Sequence, residues 1–314
     1  MKLVIIEPIG VEKERLLSLA AEALGDKIEI TYYDTKVTDT ETLIERGKDA
    51  DIIAVSNLPL NEDVINGCKN LKLLSVAFTG VDHIAMETCK KNGVMVCNCA
   101  GYSTAAVADL VFGLIITLYR NIIPCNKVIR EEGTKDGLIG FELEGKKFGV
   151  IGTGTIGMRV ANIARAFGCE EVYAYSRTQK EVQGITYVDL DTLLSTCDIV
   201  SIHTPLNEST KGLIHGEKLA LMKKNAILIN TARGPIVDSK ALADALNSGK
   251  IAGAGIDVFE KEPPIEKDHP LFHTPNTVVA PHIGFATKEA LVKRAVIVFD
   301  NVVKWMENKP QNVM

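Results

Sequence analysis

The sequence contains no long apolar run. A membrane-spanning helix needs roughly 18 consecutive apolar residues, and the longest apolar stretch of this chain, residues 110–118, is far shorter. The first residues also lack the basic start, the extended apolar core and the small-residue cleavage site of a signal peptide. We therefore expect a cytoplasmic protein that does not contact a membrane.

The sequence also has no excess of positive charge. It contains 35 Lys and Arg residues and 40 Asp and Glu residues, which gives a net charge of −5. Because binding to phosphate backbones needs concentrated Lys and Arg, we expect no nucleic-acid partner. The composition, with 46% hydrophobic and 24% charged residues, is that of a globular protein. Its 314 residues suggest two domains, at about 150 residues per domain.

Cysteine is present, but not in a pattern that binds metal or forms a disulfide framework. The seven cysteines are an odd number, scattered through apolar surroundings. The one close pair, Cys97 and Cys99, does not have the C-x₂₋₄-C spacing of a zinc site, and no second Cys/His pair lies nearby. We therefore predict reduced, buried thiols and no metal site.

Short apolar runs alternate with helical patterns along the first third of the chain. The predicted strands span residues 2–6, 28–33, 52–55, 73–77 and 94–97. The predicted helices between them span residues 11–24, 39–47, 61–67 and 85–92. Such alternation is typical of βαβ units around a parallel sheet.

The same alternation resumes in the second half of the chain. A helix over residues 105–120 separates the two series, and because it is apolar on nearly every face it is expected to be buried between domains or subunits. After a loop over residues 131–145, the predicted strands span 147–152, 171–175, 199–203, 226–230, 253–257 and 277–280, and a last amphipathic helix spans 288–308. We predict an α/β protein with two doubly wound parallel-sheet domains.

The most informative segment is a glycine-rich turn between a predicted strand and a predicted helix. Gly152, Gly154 and Gly157 form the pattern G-x-G-x-x-G in the strand–turn–helix context of a dinucleotide-binding site. The first glycine permits the tight turn, the second lets the backbone approach a pyrophosphate, and the third allows close packing of helix and strand. The N–H groups at the start of the helix would hold the phosphates.

The next predicted strand ends where a dinucleotide site contacts the adenosine ribose. NAD sites usually place Asp or Glu there, whereas this chain has Ser176 followed by Arg177. A carboxylate would repel a 2′-phosphate, while a hydroxyl and a guanidinium would bind it. We therefore favour NADP(H) as the cofactor, with NAD(H) as the alternative.

Three further segments place ionisable residues directly after predicted strands. They are NTARG (230–234), DVFEKEPP (257–264) and APHIG (280–284). Because ligands of an open α/β sheet gather at the carboxyl ends of its strands, we expect Arg233, Glu262 and His282 at the same edge as the glycine turn. A histidine can transfer a proton near neutral pH, and a guanidinium can bind a carboxylate through two parallel hydrogen bonds.

With these segments in this order, the chain resembles the D-isomer-specific 2-hydroxyacid dehydrogenases over essentially its whole length. Among them it is most similar to the glyoxylate/hydroxypyruvate reductases. The resemblance implies a flavodoxin-like substrate domain, a Rossmann cofactor domain, and the reduction of a small 2-oxo acid to the D-2-hydroxy acid by NADPH. It also implies that Arg233 binds the substrate carboxylate and carbonyl, that His282 is the acid/base, and that Glu262 pairs with it.

The resemblance also implies the binding residues and the domain limits. The substrate would contact Asn57, Leu58, Thr79, Gly80, Val81, Arg233 and His282. The cofactor would contact Gly152, Thr153, Gly154, Thr155, Ile156, Gly157, Ser176, Arg177, Thr178, His203, Thr204, Pro205, Thr210, Thr231, Ala232, Asp257 and Gly284. Residues 100–283 would form the cofactor domain, residues 1–99 and 284–314 the substrate domain, and the helix over 105–120 a homodimer.

Two alternatives remain open on the sequence. One is an NAD-dependent dehydrogenase for a larger or phosphorylated substrate such as 3-phosphoglycerate, although the loop that holds a phosphate-binding Arg in those enzymes is apolar here, at residues 76–78. The other is a non-enzymatic NAD(H)-sensing corepressor, since such relatives can keep the same Arg, Glu and His. Formate dehydrogenases have Gln as the partner of the histidine, whereas this chain has Glu262.

Overall fold

The computed structural model describes residues 1–262 and 264–314. Within these ranges the chain folds into two compact units. Unit 1 comprises Met1–Ser103 and Ala286–Met314, and unit 2 comprises Thr104–Phe285. Each unit contains one parallel β-sheet, so the predicted α/β class with two doubly wound sheets is confirmed.

Unit 1 contains the first five strands. They are β1 (Lys2–Ile5), β2 (Glu29–Tyr32), β3 (Ile52–Val55), β4 (Leu73–Val76) and β5 (Met95–Cys97). Its helices are α1 (Lys13–Leu24), α2 (Thr40–Gly47), α3 (Glu62–Gly67), α4 (Met86–Lys91) and α11 (Lys288–Met306). The sheet has the order β2-β1-β3-β4-β5, which is the flavodoxin-like arrangement that the resemblance implies.

The helix α11 packs against α1 and β4 in unit 1. The side chain of Phe299 is fully buried in this packing, and the hydroxyl of Ser75 in β4 donates a hydrogen bond of 3.0 Å to the carbonyl of Val298. After the helix, the N–H of Met314 donates to the carbonyl of Val96 at 3.0 Å, beside β5. Residues from 286 onward therefore complete the core of unit 1.

Unit 2 contains the second strand series. Its strands are β6 (Lys147–Ile151), β7 (Glu171–Tyr175), β8 (Thr186–Tyr187), β9 (Ile199–Ile202), β10 (Ile227–Asn230), β11 (Gly253–Ile256) and β12 (Thr277–Val279). Its helices are α5 (Thr104–Tyr119), α6 (Ile122–Arg130), α7 (Thr155–Ala166), α8 (Leu190–Thr196), α9 (Gly216–Leu221) and α10 (Ser239–Asn247). The sheet order β12-β11-β10-β9-β6-β7-β8 extends the Rossmann arrangement by one strand.

Apolar side chains cover both faces of the unit 2 sheet. In β10, Ile227 and Ile229 pack with α5, whereas Leu228 packs with the cluster on the opposite face, as the alternation of side chains along a strand requires. The helix α5 is apolar all round because this core surrounds much of it. Among the described residues, no single helix is long and apolar enough to cross a bilayer, and only α5 with α6, bent by 55°, reaches that length and hydropathy as a pair.

The seven cysteines are free thiols, and all except Cys125 are buried. Burial raises the pKa of Cys99 to about 12 and that of Cys68 to about 11. A thiol that stays protonated is a poor nucleophile, so the buried cysteines behave as small apolar side chains, as the sequence predicts.

Replacing Phe299 by Ala is expected to destabilise unit 1, because the change leaves a cavity between α11 and the sheet. The expected loss is about 3–5 kcal/mol of unfolding free energy. Hydrogen exchange followed by mass spectrometry should show faster exchange in β1 and β4 and unchanged exchange in β6 and β9. Val296→Ala on the same helix is the control, since Val296 is 47% exposed. Equal effects of the two changes would contradict the packing of α11 described above.

Candidate functional site

His282 and Glu262 form a pair after neighbouring strands. Nδ1 of His282 contacts Oε2 of Glu262, and the two side chains are 25% and 21% exposed. The other carboxylate oxygen of Glu262 accepts the N–H of Phe259 at 2.5 Å. Both ends of the carboxylate are therefore held, and one ring nitrogen of the histidine has a fixed partner. Pro263, which follows Glu262 in the sequence segment, lies outside the described residues.

The turn that holds His282 is fixed by the carboxylate of Asp257. Asp257 is fully buried, and its two oxygens accept the N–H groups of Ile283 and Gly284, each at 2.8 Å. The N–H of His282 donates to the main-chain carbonyl of Asp257 at 2.7 Å. His282 has φ +55°, a conformation that is strained for a residue with a side chain and persists only where surrounding contacts impose it. Burial raises the pKa of Asp257.

Arg233 lies on a turn that the side chain of Asn230 holds. Asn230 is 1% exposed; its amide nitrogen donates to the carbonyl of Arg233 at 2.9 Å, and its amide oxygen accepts the N–H of Ala232 at 3.0 Å. Nη1 of Arg233 donates to the carbonyl of Ala232 at 2.8 Å. Arg233 is partly exposed as a residue.

The strand order brings these groups to one edge of the unit 2 sheet. β10, β11 and β12 are neighbours, and they pair in parallel, with Asn230 opposite Ile256. Their carboxyl ends therefore lie side by side, and each is followed by one of the predicted catalytic residues Arg233, Glu262 and His282.

The glycine-rich turn has the close packing that the sequence predicts. Gly152 has φ +97°, and a Cβ there would lie 2.6 Å from the carbonyl oxygen of His203. A Cβ on Gly157 would lie 2.0 Å from the carbonyl oxygen of Gly152, so α7 can approach β6 this closely only with glycine at this position. A Cβ on Gly154 would meet no described atom within 4 Å. The backbone at the start of α7 is therefore open to a ligand.

Two hydroxyls among the predicted cofactor residues are buried without a partner. Thr153 is 3% and Thr231 is 8% exposed, and neither Oγ1 has a hydrogen-bond partner among the described residues. Buried polar atoms are usually satisfied, because leaving one unpaired costs stability. A bound polar group would supply the missing partners. With the open start of α7, whose first N–H groups have no partner within the helix, these residues fit a dinucleotide.

The three residues expected at the adenosine ribose follow β7. Ser176 is partly buried, and Arg177 and Thr178 are exposed. The guanidinium of Arg177 makes no hydrogen bond or ion pair with another described residue. Its charge is therefore not neutralised within unit 2 and can meet a phosphate.

The loop after β9 contains the remaining predicted cofactor residues. Nε2 of His203 is hydrogen-bonded to the hydroxyl of Ser201 at 2.8 Å, and burial lowers the pKa of His203 to about 3. This ring is therefore neutral near pH 7, which fits the wall of a binding site rather than a second acid/base. The hydroxyl of Thr210 donates to the carbonyl of Pro205 at 2.7 Å, so it helps to hold the loop.

In unit 1 the first predicted substrate loop follows β3. Asn57 is exposed and its side-chain oxygen accepts a hydrogen bond of 2.9 Å from Nζ of Lys36. Leu58 is fully buried. The N–H groups of Ser56 and Leu58 both donate to Oε1 of Glu7, at 2.8 and 3.0 Å. The backbone on both sides of Asn57 is therefore fixed by one carboxylate.

The second predicted substrate loop follows β4 and is held by Asn98. The side chain of Asn98 donates to the carbonyl of Thr79 at 2.8 Å, and Asn98 is 6% exposed. The N–H groups of Gly80 and Val81 donate to no other described residue. They are thus available to a carboxylate, as the resemblance implies. The predicted substrate residues fall into two sets: these loops in unit 1, and Arg233 and His282 in unit 2.

Glu7, Asn98 and Asn230 hold the loops of the candidate site, and the sequence alone did not single them out. Each is a buried polar residue at or just after the end of an apolar strand. That is the edge where ligands of a parallel sheet gather. The position of these polar residues at the ends of strands could therefore be recognised in the sequence. The hydrogen-bond partner of each side chain could not.

The family whose description is "D-isomer specific 2-hydroxyacid dehydrogenase, NAD binding domain" matches residues 112–284. This match covers most of unit 2, from α5 to the turn that holds His282. It establishes that unit 2 is a nicotinamide-cofactor-binding domain.

Relatives cover the whole chain. The chain is 35% identical to a hydroxypyruvate reductase of Blautia hydrogenotrophica, covering 100% of this chain and 99% of the relative. It is 37% identical to a glyoxylate reductase of Thermococcus litoralis, covering 90% and 89%. Among solved structures, an acyclic imino acid reductase in complex with NADPH and D-Arg superimposes with a TM-score of 0.90 at 32% identity, with both chains covered completely.

The sheet order of unit 2, the glycine turn and these matches point to the same family. The chain belongs to the D-isomer specific 2-hydroxyacid dehydrogenase family of oxidoreductases.

Proposed function

We propose that this protein reduces a small 2-oxo acid, hydroxypyruvate or glyoxylate, to the corresponding 2-hydroxy acid with NADPH, and that a chiral product has the D configuration. The observation that carries the proposal is the contact between His282 and Glu262 on the same sheet edge as Arg233. When bound, NADPH supplies the hydride for the carbonyl carbon. The protein's own residues then have two tasks, which are to hold the anionic substrate and to deliver a proton to the developing alkoxide.

The proton comes from His282 in this proposal. Glu262 holds Nδ1, which assigns proton delivery to the other ring nitrogen, Nε2. The protonated form of the ring is the one that can donate to the developing alkoxide. Arg233 is always charged, so it binds the substrate carboxylate and polarises the carbonyl at any pH that the fold tolerates.

The unit 1 loops favour a small substrate without a phosphate. We assign the N–H groups of Gly80 and Val81 to the substrate carboxylate, and Asn57 and Leu58 to its side chain. Val76 and Ala77 are fully buried and Phe78 is 7% exposed, so this stretch presents no cation for a phosphate. A larger or phosphorylated substrate such as 3-phosphoglycerate is therefore the weaker alternative.

The cofactor is assigned to residues of unit 2. Gly154, Thr155 and Ile156 would meet the pyrophosphate with their N–H groups, and Thr153 and Thr231 would gain the hydrogen bonds that they lack. The choice of NADP(H) over NAD(H) is supported by the unpaired guanidinium of Arg177. Residues 1–99 and 284–314 would act as the substrate domain and residues 100–283 as the cofactor domain.

We also propose a homodimer. The interface is assigned to the segment that follows α5 and not to α5 itself. Most of α5 is buried within unit 2 itself. The exposed apolar side chains follow it, at Ile122, Ile123, Ile129, Ile139 and Phe141. Such an exposed apolar group is typical of an interface between subunits.

Replacing His282 by Ala is expected to lower kcat with hydroxypyruvate by about 10²–10⁴-fold, because the proton donor is lost. Binding of NADPH, measured by fluorescence titration, should stay within twofold. His273→Ala is the control, since His273 is exposed in the same unit. Unchanged turnover in the His282 variant would refute its role as the acid.

Replacing Arg177 by Ala is expected to raise KM for NADPH by about tenfold or more and to leave KM for NADH unchanged, because only NADPH has the 2′-phosphate. Initial rates with both cofactors test this. Lys180→Ala removes a neighbouring exposed cation and should have little effect. A wild-type protein that prefers NADH strongly would contradict the role of Arg177.

Light scattering at micromolar concentration should give about twice the chain mass of 34.1 kDa. Ile139→Glu combined with Phe141→Glu should give a monomer, because both side chains are exposed, at 87% and 50%, and charge would oppose their burial. Leu221→Glu, at a 39% exposed position elsewhere in unit 2, should leave the mass unchanged. A monomeric wild-type protein would contradict the proposal.

A further inference from the structure

Glu7 lies where unit 1 turns from strand to loop. It follows β1, and the N–H of Ile6 still donates to the carbonyl of Ala54 at 3.1 Å, so the pairing with β3 continues up to the residue before Glu7. β1 and β3 are neighbours in the sheet. The carboxyl group of Glu7 is therefore beside the point where the chain leaves β3 and enters the loop of Ser56, Asn57 and Leu58.

The contacts of Glu7 fix that loop and little else. Its Oε1 accepts the N–H groups of Ser56 and Leu58 at 2.8 and 3.0 Å. Asn57 lies between these two residues; it is exposed, and its side-chain oxygen accepts a hydrogen bond of 2.9 Å from Nζ of Lys36. One carboxylate thus holds the main chain on both sides of Asn57.

Burying the carboxyl group of Glu7 has a free-energy cost that an apolar side chain at this position would avoid. The residue is 1% exposed, and burial raises its pKa. Removing a carboxyl group from water has a large free-energy cost that hydrogen bonds only offset. An apolar side chain would fill the same space next to β1 at lower cost. It could not accept two N–H groups, however, and the loop would lose its fixed conformation.

We propose that Glu7 is a positioning residue that sets the selectivity for the substrate side chain by fixing the loop of Ser56, Asn57 and Leu58. The inference rests on the proposed function, in which Asn57 and Leu58 meet that side chain. Glyoxylate has only a hydrogen atom in this place, whereas hydroxypyruvate has a hydroxymethyl group. A loosened loop should therefore weaken the binding of hydroxypyruvate and leave that of glyoxylate unchanged.

The test compares KM and kcat for these two acids in the wild-type protein and in Glu7 variants, with saturating NADPH. In Glu7→Ala, KM for hydroxypyruvate should rise at least about fivefold, because both N–H groups lose their partner. KM for glyoxylate and kcat for both acids should stay within twofold. Glu7→Gln keeps an accepting oxygen and should restore the wild-type ratio of the two KM values.

The control is Asp51→Ala. The carboxylate of Asp51 also accepts a main-chain N–H, that of Lys2 at 2.9 Å, but at the opposite edge of the same sheet. Its loss should lower the thermal stability without changing the ratio of the KM values. Glu7→Asp, whose shorter side chain cannot reach both N–H groups, tests the same point if Glu7→Ala does not fold.

The outcomes separate the two proposals. A wild-type protein that reduces neither acid overturns the proposed function and this inference with it. An active wild-type protein with an unchanged KM ratio in folded Glu7→Ala or Glu7→Asp overturns the role of Glu7 alone. The same holds if both KM values rise equally, as a general loss of structure would cause.

Discussion

The two hydrogen bonds from Ile283 and Gly284 to the buried carboxylate of Asp257 are the interaction on which the proposed chemistry depends. They impose a left-handed conformation on His282, and this conformation places the ring against Glu262. Without them the turn would relax toward an unstrained geometry, and the acid would lose its position relative to β10 and Arg233. The resemblance assigns Asp257 to the cofactor, and in the structure each of its oxygens also accepts an N–H group of the turn.

Buried polar side chains also hold the main chain of other loops at the carboxyl edges of both sheets. Where a chain leaves a parallel strand, its N–H and C=O groups lose their ladder partners and need others. Asn230 supplies them for the turn of Arg233, Asn98 for Thr79, and Glu7 for Ser56 and Leu58. The edge that gathers ligands is thus kept rigid by buried polar side chains, and the side chains that meet the ligand project from loops already fixed.

Much of this architecture could be predicted, because buried parallel strands are short apolar runs and the glycine turn has a specific spacing. The helix α6 was not, since it follows α5 almost directly and Pro124 lies in its first turn. The strand β8 has only two residues, too few for a pattern. Glu7 and Ser56 are 49 residues apart in the chain, so only the folded sheet reveals that they meet. By contrast, the position of Arg233, Glu262 and His282 at one sheet edge could be predicted, because each lies in a segment that follows a recognisable strand.

We propose that unit 2, with Arg233 and His282, catalyses the reduction of a 2-oxo acid and does not act only as a sensor of a dinucleotide. The most direct test is the initial rate at which the purified protein oxidises NADPH and NADH with glyoxylate, hydroxypyruvate, pyruvate and phenylpyruvate. We expect turnover that is fastest with NADPH and with hydroxypyruvate or glyoxylate. Tight binding of the dinucleotide without oxidation in the presence of any of the four acids would contradict it.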